Sequence, residues 1–490
     1  FVAIRIYLKS GKPVNLLDIT LLNTSGDTLI PDVNLPENEL LREGLLESAA
    51  ANIVEYYGER GYAFAQVTID SMAMAEAEDF HRMSAVMIVD RGPPVRLSGV
   101  EIRGSERTRE SAIVREMRIE SGDLYSPETF QRAEDYLRRT DLFDQILPLQ
   151  IIRREGKFYA LVCLEESRSN SLDGAIGYYP GGEGESGYWT GLADLSFMNL
   201  FGTMRRFHLH WEQPDRESQD IYLRYREPWL LGLPLAAEIS LRQRIRPVEL
   251  DADADYTSRS ASLEGIYSLS TVIEINAGFD FIEVVPDSTA RYGLEIPHSL
   301  SRGGIAGFTL DTRDNRYNPS SGLMFRNSAA LYYKRNYVPE TADIPQNTED
   351  RRLEADLEGI ITPADWGTIF AAVSARQVKS EQENLPVSEL YLLGGASSLR
   401  GYREDQFAGT LVGWTNLEYR YLIGKNSRLF LFNDWGFYRR SEEDDIEWRT
   451  GYGGGFRVET GAGIIGLDYG IASGDSPLNG KIHIRFRAMF

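Results

Sequence analysis

The residues of this chain best suited to chemistry are one cation and two anions. Arg400 lies in Gly394-Gly395-Ala396-Ser397-Ser398-Leu399-Arg400-Gly401-Tyr402, a glycine- and serine-rich stretch inside a long polar segment. Flexible residues lead into a single arginine, which places the guanidinium on a hinge from which it reaches a partner. Folded into a narrow interior, it needs a counter-charge, because an unpaired buried cation is costly. Glu418, in Asn416-Leu417-Glu418-Tyr419-Arg420, and Asp434, in Phe432-Asn433-Asp434-Trp435-Gly436, are the candidates on the two alternating stretches that follow. Guanidinium geometry suits paired hydrogen bonds to carboxylates better than an ammonium does.

A second charged constellation is the run from Phe308 to Gly322, FTLDTRDNRYNPSSG. Asn318, Pro319 and Gly322 suit a tight turn. By period two, Asp311 and Arg313 share a face with Thr309, and Phe308 and Leu310 take the other. Asp314 completes the charged set.

Other patterns are decoys. Gly461-Ala462-Gly463-Ile464-Ile465-Gly466 matches a dinucleotide fingerprint, but no helical pattern follows, and a hairpin turn is expected. Asp251-Ala252-Asp253-Ala254-Asp255 opens like a calcium loop, yet Tyr256 stands where glycine belongs and Ser262 where glutamate belongs. His208 and His210 share a strand face with no third ligand evident. Glycines do not flank any serine in a nucleophile-elbow pattern. The expectation is a chain that is not an enzyme and holds no cofactor and no metal.

The elements that must carry these residues are β-strands. The chain has 490 residues, 45 glycines and 26 tyrosines, as many strands joined by turns require. A net charge of -21 argues against a nucleic-acid partner. One cysteine, Cys163, excludes an internal disulfide and a cysteine-built zinc site. Apolar runs fall short of the roughly 18 residues a membrane helix needs. A transmembrane barrel leaves no such run, because lipid-facing and lumen-facing residues alternate. No signal peptide is visible, so the chain reads as mature or trimmed.

From residue 171 the alternation is explicit. Leu353, Ala355, Leu357, Gly359 and Ile361 form one row, and Arg352, Glu354, Asp356 and Glu358 the other. The pattern predicts sixteen strands: 171–179, 187–199, 203–213, 219–230, 234–246, 256–269, 271–284, 302–313, 322–335, 351–362, 366–379, 410–422, 427–439, 447–459, 463–472 and 480–490. Links alternate long and short, as extracellular loops and periplasmic turns do, and an even count returns the C-terminus to the periplasmic side. The last strand sets Ile482, Ile484, Phe486, Ala488 and Phe490 in one lipid-facing row. Gly174 and Gly177 in the first strand weaken its pairing.

The first third reads differently. Ser10-Gly11-Lys12-Pro13-Val14 and Arg91-Gly92-Pro93-Pro94-Val95 repeat at an offset of 81 residues, each between β-like runs. Each unit reads strand, helices, strand, strand. In the first, 39–60 has a helical pattern ending at Gly61, followed by strands 62–69 and 83–90. In the second, Ser126 caps a helix with Pro127 at its first position, and strands 143–153 and 158–165 follow. The expected division is 1–13, the end of a preceding module; 14–92 and 93–167, two α/β modules; and 168–490, the barrel.

The run at 308–322, the loop at 394–402 and the C-terminal strand together resemble the BamA/TamA family of outer-membrane assembly barrels, and the α/β modules resemble its periplasmic POTRA domains. The resemblance covers nearly the whole chain. It implies a sixteen-stranded antiparallel barrel in the bacterial outer membrane with the modules in the periplasm. Arg400, Gly401 and Tyr402 would form the tip of the sixth extracellular loop, with Glu418 and Asp434 holding it from the wall. Asp311, Arg313, Asp314, Pro319 and Gly322 would form the family's motif between the eighth and ninth strands. Gly174, Gly177, Ile484, Phe486 and Phe490 would mark a weak lateral seam between the first and last strands. The implied activity is protein insertion without a nucleotide: unfolded outer-membrane clients fold into the bilayer at that seam. Accessory subunits, periplasmic or lipoprotein, are implied partners. The alternative is a two-partner secretion pore, which shares the modules and the loop arginine but usually adds an N-terminal plug helix, for which no segment is seen. A plain diffusion channel would leave both modules and loop arginine unexplained.

Overall fold

The computed structural model describes residues 11–29, 31–179, 188–213, 215–248, 255–287, 296–314, 318–340, 342–364, 367–424, 426–460 and 463–489. The expected end of a preceding module at 1–13 falls largely outside them. The chain separates into two compact units, 1–167 and 168–490.

In the N-terminal unit, strand β1 (Val14–Asn23) pairs antiparallel with the two-residue β2 (Glu39–Leu40). Helix α1 (Leu45–Gly58) and strands β3 (Gln66–Glu76) and β4 (His81–Asp90) complete the first module. β1 runs parallel to β4, which pairs antiparallel with the edge strand β3. Helix α1 starts six residues later than the apolar pattern at 39–60 predicts. Leu40 is drawn into pairing with β1, and Gly44 precedes the helix at φ 82°, a left-handed position that resets the chain direction. Ala49, Ile53 and Tyr57 on α1 pack against Leu21, Met87 and Val89. This module has one helix among its described residues, where the repeat pattern suggested more.

The second module follows as β5 (Leu97–Arg103), α2 (Glu110–Met117), α3 (Pro127–Arg138), β6 (Phe143–Ile146), β7 (Gln150–Arg154) and β8 (Lys157–Glu166). Ser126 Oγ accepts from Thr129 N at 3.2 Å, capping α3 with Pro127 inside its first turn. Phe130, Ala133 and Leu137 are buried on one face of that helix. β5 runs parallel to β8, repeating the β1–β4 arrangement. The expected strand 143–153 is two strands, interrupted at Leu147-Pro148-Leu149, because proline cannot donate to the ladder.

The second unit is a closed antiparallel barrel of sixteen strands. They are β9 (Ser171–Tyr179), β10 (Tyr188–Leu200), β11 (Arg205–Gln213), β12 (Gln219–Glu227), β13 (Leu235–Pro247), β14 (Asp255–Ser268), β15 (Ile273–Pro286), β16 (Ser299–Asp311), β17 (Gly322–Asn336), β18 (Asn347–Ala364) and β19 (Gly367–Ser380). A two-stranded ribbon of β20 (Tyr391–Leu393) and β21 (Phe407–Gly409) interrupts them, and β22 (Leu411–Gly424), β23 (Ser427–Arg439), β24 (Glu447–Thr460), β25 (Gly463–Ala472) and β26 (Lys481–Met489) close the wall. The predicted strand set matches closely. β16 and β18 begin earlier than expected, carrying the sheet into segments read as loop.

The alternation sorts as the pattern requires. Leu353, Leu357 and Ile361 are exposed on the outer face, and Ile239 and Leu241 likewise. Inward-facing charges pair across strands: Asp220 accepts from Arg242 and Arg244, and Arg457 from β24 meets Asp468 of β25. A wall apolar outside and ion-paired inside fits a bilayer around a polar lumen. Gly463–Ala472 is strand where a dinucleotide fingerprint would need a helix, and Gly461 and Ala462 lie outside the described residues.

Candidate functional site: a loop held in the barrel

The segment between β19 and β22 folds back as an ordered hairpin. Its neck is the β20–β21 ribbon, and its tip runs from Gly394 to Gln406. The glycines read from sequence as a flexible hinge instead fix a turn: Gly394, Gly395 and Gly401 adopt φ 130°, 92° and 98°. Ser398 Oγ bonds both the amide and the carbonyl of Gly394 at 3.0 Å. Leu393, Leu399 and Tyr402 pack with Val412 and Ala472 of the wall, which sets the height of the tip.

Arg400 is thereby placed between two strands. Its Nε and Nη2 each donate at 2.7 Å to the two carboxylate oxygens of Asp434 on β23, and its own amide donates to the same carboxylate at 3.1 Å. Nη1 donates to Glu418 Oε1 on β22 at 2.7 Å. The other Glu418 oxygen accepts from Arg420 Nε at 2.8 Å. The four groups form an alternating row, Asp434, Arg400, Glu418, Arg420, and all are buried, Asp434 completely. Two aromatic faces complete the row: the Arg400 guanidinium lies 3.6 Å from the Phe432 ring centre, and that of Arg420 lies 3.9 Å from that of Phe370. Charge balance, bidentate geometry and ring stacking together meet the desolvation cost of a buried ion cluster.

Gly401 and Tyr402 act on the opposite side of the tip. A side chain at Gly401 would meet the Ile471–Ala472 peptide at 2.6 Å, so only glycine fits. Tyr402 Oη donates to the Thr450 carbonyl at 3.2 Å. Gly451 on β24 and Gly470 on β25 form a hollow that receives the Arg400–Gly401 backbone; a Cβ at Gly470 would lie 2.7 Å from Gly401 N.

The motif at 308–322 is a second charged knot. Arg313 Nε and Nη2 both donate to Asp311 at 2.9 Å, and Nη1 donates to Glu358 of β18 at 2.6 Å. Asp314 accepts from the amides of Ser320 at 3.0 Å and Ser321 at 3.3 Å, folding the link on itself. Gly322 sits at φ 107°, where a side chain would strike the Thr312 carbonyl and Arg313. Pro319 is buried. Asn318 Oδ1 accepts from Arg428 Nη1 of β23 at 2.7 Å, so this link reaches strands far away in sequence. On the side of the barrel where the other links are turns, 312–321 is the longest.

At the seam, β26 and β9 share three register pairs among the described residues: Arg487 with Asp173, Ala488 with Leu172 and Met489 with Ser171. The neighbouring contact of β26 with β25 carries seven, from Ile464–Arg487 to Gly470–Lys481. Pairing stops where Gly174 begins, and Gly174 and Gly177 pair only with β10. Ile484 pairs with Leu467 of β25, and Phe486 is exposed on the barrel surface. Phe490 lies outside the described residues.

Sequence reading missed Arg420, the two stacking rings, and the Gly451–Gly470 hollow. The signal for Arg420 was its period-two relation to Glu418; the glycines gave none, because their use depends on a loop arriving from elsewhere. A third polar partner for His208 and His210 also emerges. Asp194 Oδ2 lies 2.8 Å from His208 Nε2 and 3.1 Å from His210 Nδ1. Among the described residues there is no group of three or more side chains placed to hold a metal ion.

A sixteen-stranded outer-membrane barrel preceded by periplasmic α/β modules, with a loop arginine clasped inside, defines the class. The sequence profile of the Omp85 superfamily domain matches residues 199–488, and a POTRA profile, described as surface antigen variable number repeat, matches 95–162. The chain belongs to the Omp85 superfamily. It is 23% identical over 464 residues to the outer membrane protein assembly factor BamA of Nitratidesulfovibrio vulgaris, covering 90% of this chain and 56% of that protein. The chain thus spans little more than half the length of that relative. Among solved structures it resembles BamA from Haemophilus ducreyi lacking POTRA domains 1-3, with a TM-score of 0.55 and 16% identity over 97% of this chain and all of that one. It also resembles CdiB from Escherichia coli, with a TM-score of 0.58 and 14% identity, covering 100% of this chain and 93% of that one.

Proposed function

We propose that this protein is an insertase without enzymatic chemistry, which accepts unfolded outer-membrane proteins and promotes their folding into the bilayer at the β9–β26 seam. The observation that carries this reading is the shortness of that seam beside a lumen crossed by an anchored loop. Among the described residues β26 shares three register pairs with β9, and at so short a joint an incoming strand adds by the same ladder that builds the wall. Folding of the client supplies the driving force. Gly174 and Gly177 keep β9 a poor competitor for the edge. The name of the Nitratidesulfovibrio vulgaris relative, an outer membrane protein assembly factor, supports the same reading.

The likeness to CdiB supports a second one, a secretion pore exporting a particular polypeptide through the lumen. Depletion in the native cell separates the two. General loss of outer-membrane barrels is the expected outcome; loss of one exported protein, with barrels at normal abundance, overturns the insertase.

A further inference from the structure

The loop between β19 and β22 touches the wall at two further charged places, both away from Glu418 and Asp434. In the short turn Val387–Glu389, the Glu389 carboxylate lies 2.8 Å from Arg352 Nη2 on β18 and 3.7 Å from Lys334 Nζ on β17. Lys334 is fully buried, and its other neighbours are Asp350 of β18 at 3.7 Å and Gln382 of the same loop at 3.4 Å. Closer to the tip, Asp405 stands at φ 54° and lies 2.7 Å from Arg246 Nη2 on β13.

The signs are complementary at each place. Lys334 and Arg352 against Asp350 leave the wall one positive charge in excess, and the loop brings Glu389. Glu418 and Asp434 are the wall carboxylates that receive Arg400 from the loop. Arg246 receives Asp405. A buried ammonium is tolerated only with its partners in place, and of the three around Lys334 two belong to the loop. The wall is therefore built for an occupied lumen. A loop seated out of register would set like charges against one another.

We propose that Glu389 and Asp405 are positioning residues which, with Arg400, pin the loop across the lumen at three points, on β13, on β17 and β18, and on β22 and β23. The pins close the lumen to solutes and hold the arc from β13 to β23 as one piece. This goes beyond the proposed insertase role and does not depend on it, since closure is read without any client.

The test is conductance of the full chain in planar lipid bilayers, with heat-modifiable gel mobility confirming the barrel. Glu389→Gln combined with Asp405→Asn is expected to raise conductance several-fold and to make it noisier. Arg246→Gln should do the same in part, while Arg246→Lys, which keeps the charge, should stay near the parent. Parent-like conductance in both Arg246→Gln and the double variant overturns the proposal, as does an equal rise in Arg246→Lys and Arg246→Gln. If the double variant fails to form a barrel, the two Arg246 variants decide, because that pair is partly solvated, with side chains 18% and 27% exposed. A parent that is tightly closed yet inserts no client sinks only the function proposed above.

Discussion

Arg400 and Asp434 meet through three hydrogen bonds, two from the guanidinium at 2.7 Å and one from the Arg400 amide at 3.1 Å. One carboxylate thus fixes both the side chain and the backbone of the loop tip. Arg400→Ala strips Asp434 of its cation and leaves Glu418 with Arg420 alone while both carboxylates stay buried, a change that typically costs about 3–5 kcal/mol. The barrel should still form, but with a lower unfolding temperature on heat-modifiable gels and impaired function. Arg400→Lys should fall between, since an ammonium cannot reproduce the fork. An alanine variant as heat-stable and active as the parent would remove the clasp from the account.

The hollow at Gly451 and Gly470 makes a separate prediction. A methyl group at either position meets the backbone of Arg400 or Gly401. Gly451→Ala should therefore unseat the tip with every charge intact, at a cost of about 1–3 kcal/mol by overpacking. Protease cleavage within 394–406 is the readout, and it should increase. Unchanged cleavage would mean that the tip is held by its charges alone.

The seam can be locked. Leu172 and Ala488 are register partners on β9 and β26. Leu172→Cys with Ala488→Cys, in a Cys163→Ser background that removes the one native thiol, should oxidise to an internal bridge. Client insertion into vesicles should then fall when oxidised and return with reductant. Equal insertion in both states would show that the seam need not part.

In the second module, burial works to raise the Glu166 carboxyl, and hydrogen bonds from Thr108 and Arg107 outweigh it, holding the group below its ordinary value of 4.5. The amides of Arg107 and Thr108 donate to it at 2.9 and 2.7 Å. A carboxylate depressed in the folded state stabilises fully above its unfolded pKa, and that contribution fades as pH falls through the folded value. Local stability around Arg107, followed by hydrogen exchange from about pH 6 to about pH 3, should drop at the acid end. Glu166→Gln should lower stability near neutrality and flatten that dependence.

Much of this was written locally in the sequence. Period-two alternation marks each strand by itself, so the wall from β9 to β26 could be read strand by strand. The Arg400 clasp was legible because one cation on a glycine-rich segment needs anions, and Glu418 and Asp434 stand on the two strands after the loop, where the family resemblance places carboxylates. The ties of Glu389 to Lys334 and of Asp405 to Arg246 were not legible, because each joins residues brought together only by closure of the cylinder. The late start of α1 turned on a left-handed Gly44, which apolar spacing does not register. The break between β6 and β7 was signalled by Pro148 and overridden by the β-rich run around it.

A wall with unequal joints has a preferred line of fracture. Among the described residues β9 and β26 are joined over three register pairs, whereas β26 and β25 are joined over seven. Lateral tension or a thickness mismatch in the surrounding bilayer is therefore relieved first along that line. Were the seam to part as proposed above, the thickness of the lipid around it would set how often the cylinder gapes.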